Sequence, residues 1–210
     1  MTRDRRGAPI RTLKNWLAPF KYRLTAPRPS PHPEGASPGA PIVAGFLGTP
    51  SGIGESARLC LESLRRLGCE PRAVDLSPQF LPHDLLAGHG EPDPASARPG
   101  PLIIHANPPE LPAVCAHLGP ATVHGRLVVG YWAWELSVMP SDWVRGFAYV
   151  HEIWVPSTFT AQAVAPHTGK PVRVVHHRLP EPTVTGRRQN FGLPDNAFVA
   201  LTVCDLRSSL

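Results

Sequence analysis

The sequence lacks several features that would assign it to a common class of proteins. No apolar run is long enough to span a membrane, and the basic N-terminus lacks the apolar stretch of a secretory signal. Four cysteines, Cys60, Cys69, Cys115 and Cys204, show no paired spacing, which predicts free, buried thiols in a cytosolic protein. We therefore expect a cytoplasmic protein without disulfides.

The signatures of several enzyme classes are also absent. No Gly-Lys-Ser/Thr completes a Walker A loop, no Gly-x-Ser-x-Gly elbow is present, and no pair of carboxylates has the arrangement of a hydrolase. His151, His176 and His177 do not form a metal site, because adjacent strand residues point to opposite faces and no Cys/His spacing matches a zinc site. We expect no bound metal.

Positive charge is concentrated at one end of the chain. Residues 1–40 contain eight Lys/Arg and two acids, whereas residues 41–210 contain 13 Lys/Arg and 14 acids. A nucleic-acid-binding domain carries its charge on the folded part, so nucleic acid is not an expected partner. In residues 9–24, apolar residues recur at helical spacing among basic residues. This segment is either an amphipathic helix that binds weakly to a membrane surface or a partly helical tail without a partner, and we favour the tail.

Short apolar runs alternate with helical patterns from Pro41 onward. The predicted strands are Ile42–Leu47, Arg72–Asp75, Leu102–His105, Leu127–Tyr131, Glu152–Val155, Val172–His176 and Phe198–Val203. The predicted helices are Ile53–Leu67, Pro109–Leu118, Asp142–Val150 and Thr158–Ala165, the last two capped by Ser141 and Ser157. This alternation predicts an α/β fold, a Rossmann-like parallel sheet with helices on both faces. We expect a basic, proline-rich, poorly ordered tail (1–40), this domain (41–196), and the truncated start of a second (197–210).

The stretch Gly48–Gly68, GTPSGIGESARLCLESLRRLG, joins a glycine-rich loop to an amphipathic helix. The loop Gly48–Gly54 follows the first predicted strand, so it lies at the carboxyl edge of the sheet and at a helix N-terminus. Free backbone N–H groups and the positive end of the helix dipole favour an anion there. We expect a phosphate at this loop, and a tight turn without a ligand is the alternative.

A nicotinamide cofactor is one source of such a phosphate. Gly52–Ala57 fits the fingerprint G-x-G-x-x-G/A, and Asp75 ends the next strand at a suitable distance for a ribose hydroxyl. Two details oppose this interpretation: Gly48–Ser51 separates the strand from the fingerprint, and Glu55 places a carboxylate where a pyrophosphate would lie. An NAD(P)-binding oxidoreductase domain is kept as an alternative.

Aromatic and polar residues follow two other predicted strands. Trp132, Trp134 and Glu135 come after one of them, and rings beside a carboxylate suit a sugar. The equally weighted alternative places both tryptophans in the core and pairs Glu135 locally. His105 and Asn107 stand at the end of another strand, where side chains of this fold class face the ligand crevice.

Five segments in this order resemble the N-terminal domain of family 4-like glycosyltransferases, which have two Rossmann-like domains (the GT-B fold). The segments, all within residues 41–210, are GTPSGIGESAR, IIHANPPELP, GYWAWELSVMPSDW, EIWVPSTFT and FVALTVCDLRSSL. The resemblance implies transfer of a sugar from a nucleotide-sugar to a glycan or lipid acceptor, with no required metal or further cofactor.

The resemblance also implies roles for particular residues. It implies a donor phosphate loop with Gly52, Gly54, Glu55 and Arg58. It implies an acceptor side with Asn107, Trp132 and Trp134, and Glu135 and His105 as catalytic residues.

The family's donor-binding domain, with its paired-glutamate motif, has no counterpart after VCDLRSSL. We therefore expect little or no transferase activity from this chain alone. We expect the chain to be either a truncated reading frame or gene fragment, or one half of a split enzyme whose partner is a separate donor-domain chain. A non-catalytic module that binds a glycan is the third alternative. The apolar FVALTVC would be an aggregation-prone strand if it found no partner.

Overall fold

Six short strands form the centre of the fold in the computed structural model, which describes residues 25–31, 39–80, 100–179 and 186–202. The strands are β1 (Ile42–Gly45), β2 (Arg72–Asp75), β3 (Leu102–His105), β4 (Val128–Tyr131), β5 (Glu152–Val155) and β6 (Val172–Val174). They are ordered β2-β1-β3-β4-β5-β6, and every neighbouring pair is parallel. The predicted Rossmann-like α/β fold is confirmed.

Helices cover both faces of this sheet. They are α1 (Gly52–Arg66), α2 (Ser77–Phe80), α3 (Leu111–Leu118), α4 (Pro120–Val123) and α5 (Thr158–Val164), together with 3₁₀ segments at Ser141–Tyr149, Ala165–His167 and Arg188–Phe191. Helix α1 ends at Arg66, followed by Gly68 with a φ of +78°, which only glycine adopts easily.

The three central strands β1, β3 and β4 are rich in apolar residues because both of their faces are buried. On one face Val43, Ile103 and Val129 pack against Ala57 and Leu61 of α1. On the other face the alternate strand residues pack against α3 and the 3₁₀ segment Ser141–Tyr149, among others, in a cluster that includes Ile42, Ala44, Ile104, Leu111, Val114, Trp132, Phe147 and Ile153. Burial of each such aliphatic side chain contributes about 1.5–3 kcal/mol, so both clusters stabilise the sheet.

Two helices were predicted to begin at a serine cap, and the structure agrees with only one of these caps. The predicted helix Asp142–Val150 is a 3₁₀ segment, Ser141–Tyr149, and its N-cap position is Pro140, so the predicted Ser141 cap is wrong. Pro140 has no side-chain oxygen that could accept a hydrogen bond. The predicted cap at Ser157 is confirmed, because its hydroxyl accepts a hydrogen bond from the Thr160 N–H at 3.2 Å.

The last predicted strand is not present where the structure describes it. Residues 198–202 have no strand conformation, and Phe198 and Leu201 are 96% and 85% exposed. Val203 lies outside the described residues. The chain divides into two compact units, Met1–Arg178 and Leu179–Leu210, so the division falls before residue 197, where the sequence suggested a second domain.

The structure describes three of the four cysteines but not residues 9–24 of the tail. Residues 9–24 and Cys204 lie outside the described part of the chain. Cys60, Cys69 and Cys115 are free, but the first two are only half-buried. Among the helices that the structure describes, none has the length and apolarity needed to cross a membrane.

Candidate functional site at the carboxyl edge of the sheet

The carboxyl ends of three central strands lie side by side. Gly45 of β1 is paired in register with His105 of β3, which is paired with Tyr131 of β4. The loops that follow these strands therefore leave the sheet at one edge. This arrangement brings the glycine loop, Asn107 and the Trp132–Glu135 segment to the same side of the fold.

The first half of the glycine loop is held from the neighbouring strand. The Gly48 N–H donates to the Ser77 hydroxyl at 3.0 Å and to Asp75 Oδ1 at 3.2 Å. The same Asp75 oxygen accepts from the Ser77 N–H at 2.9 Å. Sequence reasoning considered Asp75 as a ribose ligand, whereas here one of its oxygens is bound to the protein's own backbone.

Arg58 and Glu55 hold the other side of the loop. Arg58 Nη1 donates to the carbonyl oxygens of Leu47 and Thr49 at 2.7 and 2.8 Å. Its Nε and Nη2 contact Glu55 Oε2 at 2.8 and 2.7 Å. Arg58 is thus a partner of the loop itself, and the Glu55 charge expected to oppose a phosphate is paired with the Arg58 cation.

The two glycines of the predicted phosphate loop have different surroundings. A Cβ on Gly54 would lie 2.5 Å from the Phe46 carbonyl oxygen and 2.8 Å from that of Thr49, so only glycine fits. A Cβ on Gly52 would have nothing within 4 Å, and Gly52 is exposed. Gly54 therefore permits close packing of the loop, and Gly52 is the glycine that a ligand can approach.

Backbone donors at the start of α1 remain available. The Ser51 hydroxyl caps the helix by accepting from the Gly54 N–H at 3.2 Å. The N–H groups of Ser51, Gly52 and Ile53 make no hydrogen bond with any residue that the structure describes. Helix N-termini with free N–H groups of this kind bind anionic oxygen atoms.

His105 lies beneath this loop and is completely buried. Its Nδ1 is 2.8 Å from the Ser56 hydroxyl, and its ring stacks on Tyr131 with 4.7 Å between ring centres. Burial, followed by the charge of His177, lowers the His105 pKa to about 3, so the ring is neutral at physiological pH. Its Nε2 atom is buried and has no partner among the described residues.

Tyr131 links His105 to the chain that follows β6. Its hydroxyl donates to the Val175 carbonyl at 2.7 Å, and its ring lies 5.1 Å from the ring of His177. Burial raises the Tyr131 pKa. Sequence reasoning missed Ser56, Tyr131 and His177. The sequence did contain a signal for Tyr131, because His105 and Tyr131 are each the last residue of their strands and are paired in register.

The predicted acceptor residues are not equally accessible. Trp132 is fully buried and packs against Trp143 and Phe147, with ring centres 6.3 and 5.2 Å away. The sequence left open whether Trp132 is a site residue or a core residue, and in this geometry it is a core residue. Trp134 is half-buried, with its ring 4.7 Å from Trp143 and its Nε1 donating to the Val138 carbonyl at 2.9 Å.

Asn107 and Glu135 complete the predicted set. The Asn107 side-chain oxygen accepts from the Ala133 N–H at 3.0 Å, which joins the loops after β3 and β4. Glu135 is exposed. No hydrogen bond or ion pair within the described ranges joins Glu135 to the glycine loop.

Comparison with known proteins adds no family assignment. No protein-family model matches the chain, and no curated protein matches it. The site is therefore interpreted from its own geometry. In the parts of the chain that the structure describes, no group of three or more His, Cys, Asp or Glu side chains could hold a metal ion.

Proposed function

We propose that the glycine loop binds the phosphate of a nucleotide-sugar and that the chain is the acceptor-side part of a sugar transferase. The observation that carries this proposal is the group of free N–H donors of Ser51, Gly52 and Ile53 at the start of the 15-residue helix α1. The open space at Gly52 leaves room for phosphate oxygens beside them. Such a helix start favours negative charge through its dipole as well as its donors.

The way the loop is held supports binding without rearrangement. Asp75 fixes the Gly48 N–H, and Arg58 fixes the carbonyls of Leu47 and Thr49. The carbonyl oxygens of Leu47 and Thr49 therefore bind a cation of the protein itself, which satisfies them within the fold. A preorganised site loses less free energy to ordering when the ligand binds.

Exposed groups at the same edge support a carbohydrate acceptor. Glu135 offers a carboxylate for sugar hydroxyls, and the half-buried ring of Trp134 offers a flat apolar surface. Asn107 joins the two loops that carry these groups. Trp132 is not included in the proposed acceptor surface, and His105, which is buried under α1, is proposed to support the loop through Ser56 rather than to touch the substrate.

The binding test compares two glycine variants. We expect calorimetric titration with UDP-glucose and GDP-mannose to detect binding of at least one of them, weakened at least tenfold in Gly52→Val because the side chain would cover the free N–H groups. Gly169→Val is the matched control, since a Cβ there also meets nothing within 4 Å, and it should bind as the native chain does. Gly54→Val is unsuitable, because its side chain would clash with the loop backbone.

Three outcomes would contradict the proposal. One is equal weakening in both variants. Another is binding of NADH in preference to both nucleotide-sugars, which would favour the oxidoreductase alternative. The third is glycan binding with no nucleotide-sugar binding, unaffected by Gly52→Val, which would favour a non-catalytic module.

A further inference from the structure

A short strap, defined here as residues 25–31, is attached at the amino-terminal edge of the sheet, opposite the edge that carries the glycine loop. Ala26 packs against the core, and the Arg28 guanidinium lies 6.0 Å from the centre of the Tyr149 ring. The Ser30 hydroxyl accepts from the Gly125 N–H at 3.3 Å. These contacts lie in the loops that precede β4 and β5, and the proposed function uses none of them.

His151 joins the strap to the sheet through both ring nitrogens. Its Nδ1 is 2.9 Å from the Val128 backbone nitrogen at the start of β4, and its Nε2 is 2.7 Å from the Ser30 carbonyl oxygen. A backbone N–H can only donate and a carbonyl can only accept. The two partners therefore require the neutral ring with its proton on Nε2.

We propose that His151 is a proton-sensitive clip that holds the strap to the sheet and releases it on acidification. A proton added to Nδ1 removes the acceptor for the Val128 N–H and sets two N–H groups against each other at 2.9 Å. The ring then has to turn away, and the hydrogen bond to Ser30 is lost with it. The remaining strap contacts, at Ala26, Arg28 and the Ser30 hydroxyl, are an apolar contact, a cation–ring contact and a long hydrogen bond.

Several charged neighbours of the clip have partners of their own. The charged and titratable residues on the strap and on the elements that meet it include Arg28, His124, Arg126, Tyr149, Lys170 and Glu152, of which His124 is exposed. Lys170 donates to the Val150 carbonyl, Arg126 to the Gly100 carbonyl, and Glu152 accepts from Arg173 and Trp154. The carboxylate that could stabilise a charged His151 is therefore already bound to a cation.

The strap adjoins a basic stretch of the sequence. The residues before Thr25 include seven Lys/Arg and one acid, and they run directly into the strap. Protonation of His151 would thus free the strap that this basic stretch adjoins.

Amide hydrogen exchange of the full chain tests the clip. After correction for the intrinsic rate, protection of the Val128 amide should fall at least tenfold between pH 7.5 and pH 5.5. In His151→Gln the drop should be absent, because the glutamine amide can accept from Val128 and donate to Ser30 without titrating. His167→Gln, at an exposed histidine, is the matched control and should behave as the native chain.

Equal pH dependence in the native chain and in His151→Gln would overturn the proposal, as would full protection of Val128 at pH 5.5. The nitrogen chemical shifts of the His151 ring in the native chain give a second measurement that needs no variant. At pH 7.5 they should show the proton on Nε2, and a proton on Nδ1 or a charged ring at that pH would also overturn the clip.

Discussion

At the scale of single residues, burial decides the state of the histidine at the end of β3. His105 follows Leu102–Ile104 on a strand whose faces are both covered, so its ring has no access to water. The cost of placing a charge there keeps the imidazole neutral, and Ser56 satisfies one of its nitrogens. The sequence placed His105 at the carboxyl edge of the sheet, but its complete burial depends on contacts with α1 and Tyr131.

The lowered pKa makes this histidine a source of pH-dependent stability. Its pKa is about 3 in the fold and about 6.5 ordinarily, so between these values the unfolded chain binds the proton that the folded chain excludes. We expect the His105 contribution to lower the free energy of unfolding by about 2 kcal/mol from pH 7.5 to pH 5. In His105→Gln, urea unfolding at the two pH values should show a pH dependence smaller by that amount.

His167→Gln serves again as the control, because an exposed histidine should leave the pH dependence of the native chain intact. An unchanged pH dependence in His105→Gln would show that His105 can be protonated without loss of stability, against the burial that the structure shows.

At the scale of elements, α1 is defined by its ends as much as by its apolar face. Ser51 caps it with its hydroxyl, which also lies 2.8 Å from the Thr49 hydroxyl, and Gly68 follows its last turn with a positive φ. These signals are local, and for this reason the predicted helix Ile53–Leu67 differs from α1 by only one residue at each end. The 3₁₀ segment Ser141–Tyr149 shows where prediction from local signals fails, because the spacing of apolar residues does not distinguish α-helical from 3₁₀ geometry.

The two serines make a matched test of this cap. Ser51→Ala should lower the free energy of unfolding by about 1 kcal/mol, because the Gly54 N–H loses its acceptor. Ser141→Ala should change it by less than about 0.5 kcal/mol, since the Ser141 side chain caps nothing. Chemical denaturation at pH 7.5 measures both, and equal costs at the two positions would contradict the assigned cap.

At the scale of the whole molecule, the two units differ in how their apolar residues are covered. In Met1–Arg178 the apolar strands are buried against helices on both faces of the sheet. In Leu179–Leu210 the described residues Phe191, Phe198 and Leu201 are each more than two-thirds exposed. Exposed apolar residues of this size promote self-association.

A double variant tests this consequence. In Phe198→Ser/Leu201→Ser the self-association measured by sedimentation over a range of protein concentrations should be weaker than in the native chain, with the midpoint of thermal unfolding unchanged. Leu67→Ser is the control in the first unit, because Leu67 is also an apolar residue, 79% exposed, and lies at the end of α1. Weaker self-association in Leu67→Ser alone would assign the contact surface to the first unit instead.

The sequence by itself determined the strands β1 to β6, the helix α1 and the edge at which the site residues collect. It could do so because apolar runs, caps and glycines act over a few residues, and parallel strands bring their carboxyl ends together. The tertiary structure alone decided which of these residues are accessible. Trp132 is buried by Trp143 and Phe147, and Asp75 is bound by Gly48, a residue 27 positions away. Such contacts join distant parts of the chain, so no local pattern encodes them.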